Sequence, residues 1–362
     1  MPNWLESMQQ TFEYYIVDPG TWRDISKLDN VKKCTINRDY TVETLGSATI
    51  DVVNSVGECY IRIYLITIQN GLTEKHPLGT FLFQTPSSSF NGKLRDVTMD
   101  GYTPLLELKE NLPPLGYSIF KGSNVMRNAY LLTREGIRAP VVETICDTAL
   151  CEDFVANTND TWLTFNSDLI ANAKYTYALD EMGRVLFAPY QETASLQPVW
   201  TYNDDNSSIL LPELTMDHDM YDIPNVIEVV YSKGFYNTET NETEYYLEII
   251  NDDPNSPTSI QNRGRRKVHR EIDPNIGSSN AIATRRVVQN YAERLLETMS
   301  SLEYTITYTH GYCPVRPLDC VRLNYSRAGL TNVKAKVISQ SIKCEPGCLV
   351  TEKAKFTAKL WG

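Results

Sequence analysis

Two late stretches of this chain alternate apolar and polar side chains one by one. "SLEYTITYTHGY", residues 301–312, sets Tyr304, Ile306, Tyr308, His310 and Tyr312 on one side and Thr305, Thr307 and Thr309 on the other. "KAKFTAKLW", residues 353–361, opposes Ala354, Phe356, Ala358 and Leu360 to Lys353, Lys355 and Lys359. Successive side chains of a strand point to opposite faces, whereas a helix would scatter this order around its axis. Both stretches are predicted as strands with one buried face.

The same texture runs from residue 12 to about 112. "TINRDYTVETLGSATIDVV", "CYIRIYLITI", "GTFLFQTPSSSF" and "KLRDVTMDGY" read as strands with Gly and Pro at the joints, which suggests a barrel or sandwich. "NLPPLGYSIFKGSN" breaks it. Beyond the break, Val141, Val142, Ile145 and Ala149 predict a helix over 139–151, and Glu181-Met182-Gly183 a hairpin turn. "NVIEVVYS" reads as a strand, and residues 251–271 as a long exposed loop. Ser279 or Asn280 can cap a helix carrying Ala281, Thr284, Val287, Val288, Tyr291, Leu295 and Met299. Glu345-Pro346-Gly347 suits a type II turn.

At 362 residues, with 42% hydrophobic and 22% charged, the chain is long enough for two or more packed domains. Its net charge of −11 argues against a protein that grips phosphate backbone over a broad surface. Neither a secretory signal nor a membrane-spanning run is present in the sequence, so assembly in a cytoplasm is expected. There the eight cysteines are not expected to form a disulfide framework.

The stretch "GYCPVRPLDCVRLNY", residues 311–325, puts two thiols, an aspartate and two arginines in fifteen residues, one place after His310. Cys313, Cys320, Cys344 and Cys348 allow a zinc site, a disulfide or free thiols; their spacings lack the tight two-residue chelating knuckle, and free thiols are expected. His310 shares its face with aromatic and aliphatic residues and reads as a packing residue rather than a base. Asp204, Asp205, Asp217, Asp219 and Asp222 lack the glycine and closing glutamate of a calcium loop and read as a solvated acidic loop. No phosphate-binding glycine loop occurs. No catalytic, cofactor or metal residue is therefore assigned. The basic run Arg263, Arg265, Arg266, Lys267 and Arg270 is the candidate for docking a partner.

"HPLGTFLFQTPSSSFNGKLRDVTMDGYTPLLEL", with Gly79, Phe81, Asp100, Gly101 and Tyr102, and "NAIATRRVVQNYAERLLE" before the last strands, resemble the hub protein of bacteriophage tails and baseplates. Pro317-Leu318-Asp319 also resembles that family's turn into a late strand, with Leu318 where glycine is usual. The stretch 311–325 is thus expected to be a structural turn, with Asp319 bonding nearby backbone amides. The resemblance implies a mainly β fold with an α+β insert: two tube-type β-barrel domains plus a mixed α/β domain, in one subunit of a ring-shaped trimer. The first tube domain would span 1–120, the mixed domain 121–200, and the second tube domain 201–235 with 300–362, leaving 236–299 as a peripheral loop and helix segment. It further implies a structural, non-enzymatic virion protein at the tail tip or baseplate, without cofactor. Its partners would be two further copies, a tail tube or distal tail protein, a tip or spike protein and a tape-measure protein. Viral DNA would cross its channel in transit, and an acidic lumen would let it slide. A carbohydrate-binding module and, less favoured, a cell-wall hydrolase are the alternatives that composition leaves open.

Overall fold

The computed structural model describes residues 2–29, 31–53, 56–90, 92, 95–205, 209–218, 220–274 and 284–359. The chain divides into two compact units, residues 1–214 with 307–354 and residues 215–306 with 355–362.

The first unit opens with seven strands: β1 (Gln9–Val17), β2 (Asp24–Lys27), β3 (Val31–Asp39), β4 (Gly46–Val52), β5 (Cys59–Gln69), β6 (Leu72–Phe90) and β7 (Arg95–Tyr102). They pair in the order β3-β4-β7-β6-β5-β1-β2. Alternation decides which side chains enter the core: in β4, Ala48, Ile50 and Val52 are buried and the residues between them are not. Two glycines matter here because rings lie where their side chains would be. A Cβ at Gly79 would sit 2.5 Å from the Phe81 ring, and one at Gly101 would sit 2.7 Å from that of Phe83.

A mixed insert follows: α1 (Leu106–Lys109), β8 (Ser118–Ile119), α2 (Val125–Gly136), β9 (Phe154–Val155), α3 (Trp162–Ala171), β10 (Tyr175–Leu179) and β11 (Val185–Pro189). Asn124 caps α2 by accepting from Arg127 N at 2.8 Å, and Thr161 and Thr164 form a reciprocal capping box on α3. Helices and hairpin share one core that includes Val125, Met126, Ala129, Leu163, Phe165 and Leu169. The helix predicted at 139–151 is absent. Pro140 and the β-branched residues after it run extended instead, with Val142 N donating to Val185 O at 2.9 Å and Val185 N to Pro140 O at 2.9 Å. Ile145 is 89% exposed, so the apolar spacing there marks no buried helix face. The predicted hairpin forms, with Gly183 at φ +75° in the turn between β10 and β11.

The remaining elements are β12 (Trp200–Asn203), β13 (Leu210–His218), β14 (Val226–Asn237), β15 (Glu242–Ile250), α4 (Ile260–Arg263), β16 (Val268–Ile272), α5 (Arg285–Met299), β17 (Ser301–Gly311), β18 (Cys320–Tyr325), β19 (Leu330–Lys343) and β20 (Leu349–Lys359). Late and early strands belong to one 13-stranded sheet, in the path β13-β17-β20-β19-β3 and onward, with β18 on β19 and β12 parallel to β18. The seam between the two sets is β19 against β3, antiparallel, from Ser339↔Asp39 to Lys343↔Thr35. The turn between β19 and β20 is as predicted: Cys348 N donates to Glu345 O at 2.8 Å and Gly347 has φ +96°.

In the second unit, β15-β14-β16 form a three-stranded sheet on which α5 packs. Val288, Ala292 and Leu296, spaced by four, meet Ile227, Val229, Phe235 and Leu247. The predicted helix is therefore present, with Thr284 at its N-cap; Ser279, Asn280 and Ala281 lie outside the described residues. The expected loop over 251–271 is a correction: it holds α4, and Val268–Ile272 form β16, parallel to β14 with Val226↔Val268 through Val230↔Ile272. Its β-branched and apolar residues at 268 and 272 carried that signal beneath the charges. Among the described residues, no helix is long and apolar enough to cross a membrane.

Candidate functional site

The stretch 311–325 is the end of β17, a turn and β18. Asp319 accepts from the Arg316 amide at 2.8 Å and its own amide donates to Arg316 O at 3.1 Å, so the carboxylate closes the turn as expected. Leu318 adopts φ +79°, the left-handed backbone that glycine adopts without strain, which gives the departure at this position a physical meaning. Burial, only partly offset by Arg316, raises the Asp319 carboxyl above its ordinary value.

His310 is fully buried and belongs to a polar centre that the sequence reading did not foresee. Its Nδ1 lies 2.6 Å from Gly311 O, an acceptor only, so Nδ1 carries a proton. Its Nε2 faces Tyr202 Oη at 3.1 Å and the Glu352 carboxylate at 3.4 Å. Glu352 also accepts from Tyr308 Oη and from Gln340 Nε2, the latter at 2.7 Å; Gln340 Nε2 reaches Val315 O at 2.9 Å. Cys313 Sγ sits 3.2 Å from Tyr202 Oη and 3.9 Å from His310 Nδ1. Burial alone would push the imidazole down, but its bonds to Cys313 and Glu352 outweigh this and raise it to about 10. The centre is a buried imidazolium–carboxylate pair with its hydrogen bonds satisfied on all sides. Sealed from solvent, it has no room for a reacting molecule.

Glu352 was legible in parity. Counting back by twos from Phe356 and Ala354 places Glu352 and Val350 on the same inward face of β20, and both are buried.

A cavity of about 150 Å³ lies between the β10–β11 turn and the strands, with Arg38, Glu181, Arg316 and Asp319 among its walls. Its charges are engaged with one another: Arg316 Nε meets Glu181 Oε1 at 2.5 Å and Arg38 Nη2 lies 3.8 Å from the same oxygen. Beside it, buried Arg62 ties the turn down, donating to Asp24 Oδ1 at 2.6 Å, Thr80 Oγ1 at 2.9 Å, Met182 O at 3.2 Å and Trp22 O at 3.3 Å.

The cysteines do not converge as one set. Cys313 joins the His310 centre, Cys320 begins β18, and Cys344 and Cys348 flank the β19–β20 turn; all four are free thiols. Among the described residues, no group of three or more His, Cys, Asp or Glu side chains is arranged to hold a metal ion. Of the acidic run, Asp204 accepts from Ser326 N at 2.9 Å, Asp222 pairs with Lys267 at 3.0 Å, and Asp219 lies outside the described residues.

The basic run is largely engaged within its own unit. Arg263 donates to Ile223 O at 2.5 Å and to Met220 O, Arg266 pairs with Glu248, Lys267 with Asp222, and Arg270 with Glu228 at 2.7 Å. Arg265 is exposed and makes no ion pair among the described residues.

No protein-family model and no curated protein matches this sequence. Solved structures do match the fold, and two that match it end to end are described as tail proteins. The tail protein from Neisseria meningitidis MC58 is similar over 96% of each chain, with a TM-score of 0.61 at 12% identity. The 43 kDa tail protein of prophage MuSo2 from Shewanella oneidensis is similar over 97% of this chain and 98% of its own, with a TM-score of 0.59 at 9% identity. A chain of the Francisella PdpA–VgrG complex aligns with 97% of this chain over 58% of its own length, with a TM-score of 0.54 at 9% identity. The resemblance read from the sequence is borne out at the level of the fold, which is mainly β with a mixed insert.

Proposed function

We propose that this chain is the hub of a phage-type tail: a structural protein that assembles as a trimer, continues the tail tube, connects it to the tip or spike, and leaves a channel through which DNA passes. The observation that carries this reading is end-to-end similarity, over at least 96% of both chains, to two tail proteins. Similarity to part of a VgrG complex supports a position beside a spike-like component. The architecture also suits assembly, since a long sheet has strand edges that a cyclic oligomer can cover. Light scattering on the purified protein at high concentration should give three times the chain mass, and complexes with its tail neighbours should hold three copies of the chain. A monomer under both conditions refutes the trimer.

Within this reading, the basic run is the docking edge for a neighbouring tail component, with Arg265 as the arm left over from internal pairing. Arg265→Glu should leave the unfolding midpoint unchanged and weaken particle assembly; normal assembly removes the docking role. Arg263→Ser should instead loosen its own unit, because two backbone carbonyls lose their donor.

A further inference from the structure

We propose that Cys34 and Cys344 form a disulfide across the β19–β3 seam, a redox-controlled staple between the early and late strands of the sheet. Three observations carry it. The seam register ends at Lys343↔Thr35, so the next opposed pair is Cys344 and Cys34, and Cys344 N donates to Cys34 O at 3.0 Å. Directly opposed residues of an antiparallel pair project to the same face with Cα atoms roughly 4.5–5.5 Å apart, inside the range of about 4.4–6.8 Å that a disulfide spans. Both side chains are buried, at 2% and 8% exposure.

The surroundings support the pairing. The Cys34 thiol, followed by burial, holds the Cys344 thiol well above its ordinary range, as two thiols in contact do. Tyr14 of β1 is raised by burial and by Cys34, Cys344 and Cys348, so these four side chains share one pocket of the core. Cys348 is wholly buried across the turn. Residues 345–347 of that turn are exposed, which makes Cys344 the sulfur nearer to solvent.

The oxidant is a low-molecular-weight disulfide. The Cys344 thiolate attacks one of its sulfurs, breaking that S–S bond and expelling one thiol to give a mixed disulfide. Cys34 then loses its proton and attacks the Cys344 sulfur, expelling the second thiol. Two protein thiols are oxidised, one small disulfide is reduced to two thiols, and the two protons pass to the leaving thiolates. Since the thiolate is the nucleophile, the raised Cys344 value makes the reaction slow near neutrality and faster as pH rises. In a reducing cytosol the pair stays open; outside the cell it closes.

The test is incubation of the native protein in glutathione redox buffers of graded poise, followed by intact mass and unreduced peptide mapping. The expected result is loss of two hydrogens beyond the mass of any glutathione adduct at Cys151, one linked peptide pair containing Cys34 and Cys344, and a higher denaturation midpoint that a reductant reverses. Exposed Cys151 reports that the oxidant was active. Cys348→Ser should retain the link, and Cys34→Ala and Cys344→Ala should each lose it. A Cys344–Cys348 or Cys34–Cys348 link overturns the proposal. So does a native protein whose only oxidation products are glutathione adducts. Should a variant fail to fold, the wild-type peptide map alone decides.

Discussion

Two buried cations sit in the first unit, and they are stabilised by opposite means. Arg62, in the early strands, is paired with Asp24, which is still 25% exposed. Three further acceptors, two of them main-chain carbonyls, take the rest of its fork. His310, in the late strands, is enclosed completely with Glu352, both side chains at 0% exposure. A permanent charge is tolerated here at a margin where water still reaches its counter-ion. A titratable one is sealed in with a full set of hydrogen bonds and depends on one proton. The second centre should therefore respond to mild changes of pH.

The largest break in that contrast is Glu352→Ala. It leaves an imidazolium without its counter-charge and Tyr308 and Gln340 without their acceptor, and should cost about 3–5 kcal/mol in denaturant unfolding. Asp24→Ala costing as much would mean that margin and interior are equivalent. Next comes the pH dependence. The folded His310 value of about 10 lies above the ordinary 6.5, so its contribution is fully present below pH 6.5 and is lost as pH rises through 10. Between pH 6.5 and 7.5, before free tyrosines and thiols titrate, stability should fall by about 1 kcal/mol. His310→Gln should flatten that slope and Asp24→Ala should keep it; a wild-type profile already flat there sinks the imidazolium assignment. Asp24→Ala itself should cost about 1–2 kcal/mol, because Arg62 retains neutral acceptors and gains water. The smallest effect belongs to the turn into β18: Leu318→Gly relieves left-handed strain worth about 1–2 kcal/mol against a Gly entropy cost of about 0.5–1. A modest rise in midpoint is expected, and a fall would show that Leu318 packing outweighs its backbone.

Much of this was legible beforehand, for physical reasons. Period-two alternation announced β4, β17 and β20, and the stripe that announced α5 held Val288, Tyr291, Leu295 and Met299 of its packed face but not the buried Ala292 and Leu296. Pro-Gly chemistry announced the β19–β20 turn. The insert was read less well. At 139–151, apolar spacing predicts a helix where β-branching and Pro140 favour extended chain, and the helical signals of α2 and α3 lie in their caps, Asn124 and the Thr161–Thr164 box, rather than in a long apolar stripe. The buried centre was half seen. His310 was rightly placed inward, but one strand's parity names only its own face. Tyr202, Gln340 and Glu352 come from three other strands, and only sheet order brings them together. The basic run looked free because its acceptors, Glu228 and Glu248 among them, are remote in sequence and adjacent only through β-pairing.

The β19–β3 seam also sets a timetable for synthesis. In the finished sheet, β3 has β4 on one side and β19 on the other. On the ribosome, β4 arrives at once, whereas β19 follows nearly 300 residues later, roughly 15–60 s at elongation rates of about 5–20 residues per second. For that interval one edge of β3 has no native partner to pair with, and a second nascent chain presents the same edge. The strand reads VKKCTINRD, and charges on an edge are a means of discouraging the wrong neighbour. Lys32 and Lys33 thus protect a boundary that exists only while the protein is being made, and their removal should appear as aggregation during expression rather than as instability of the finished fold.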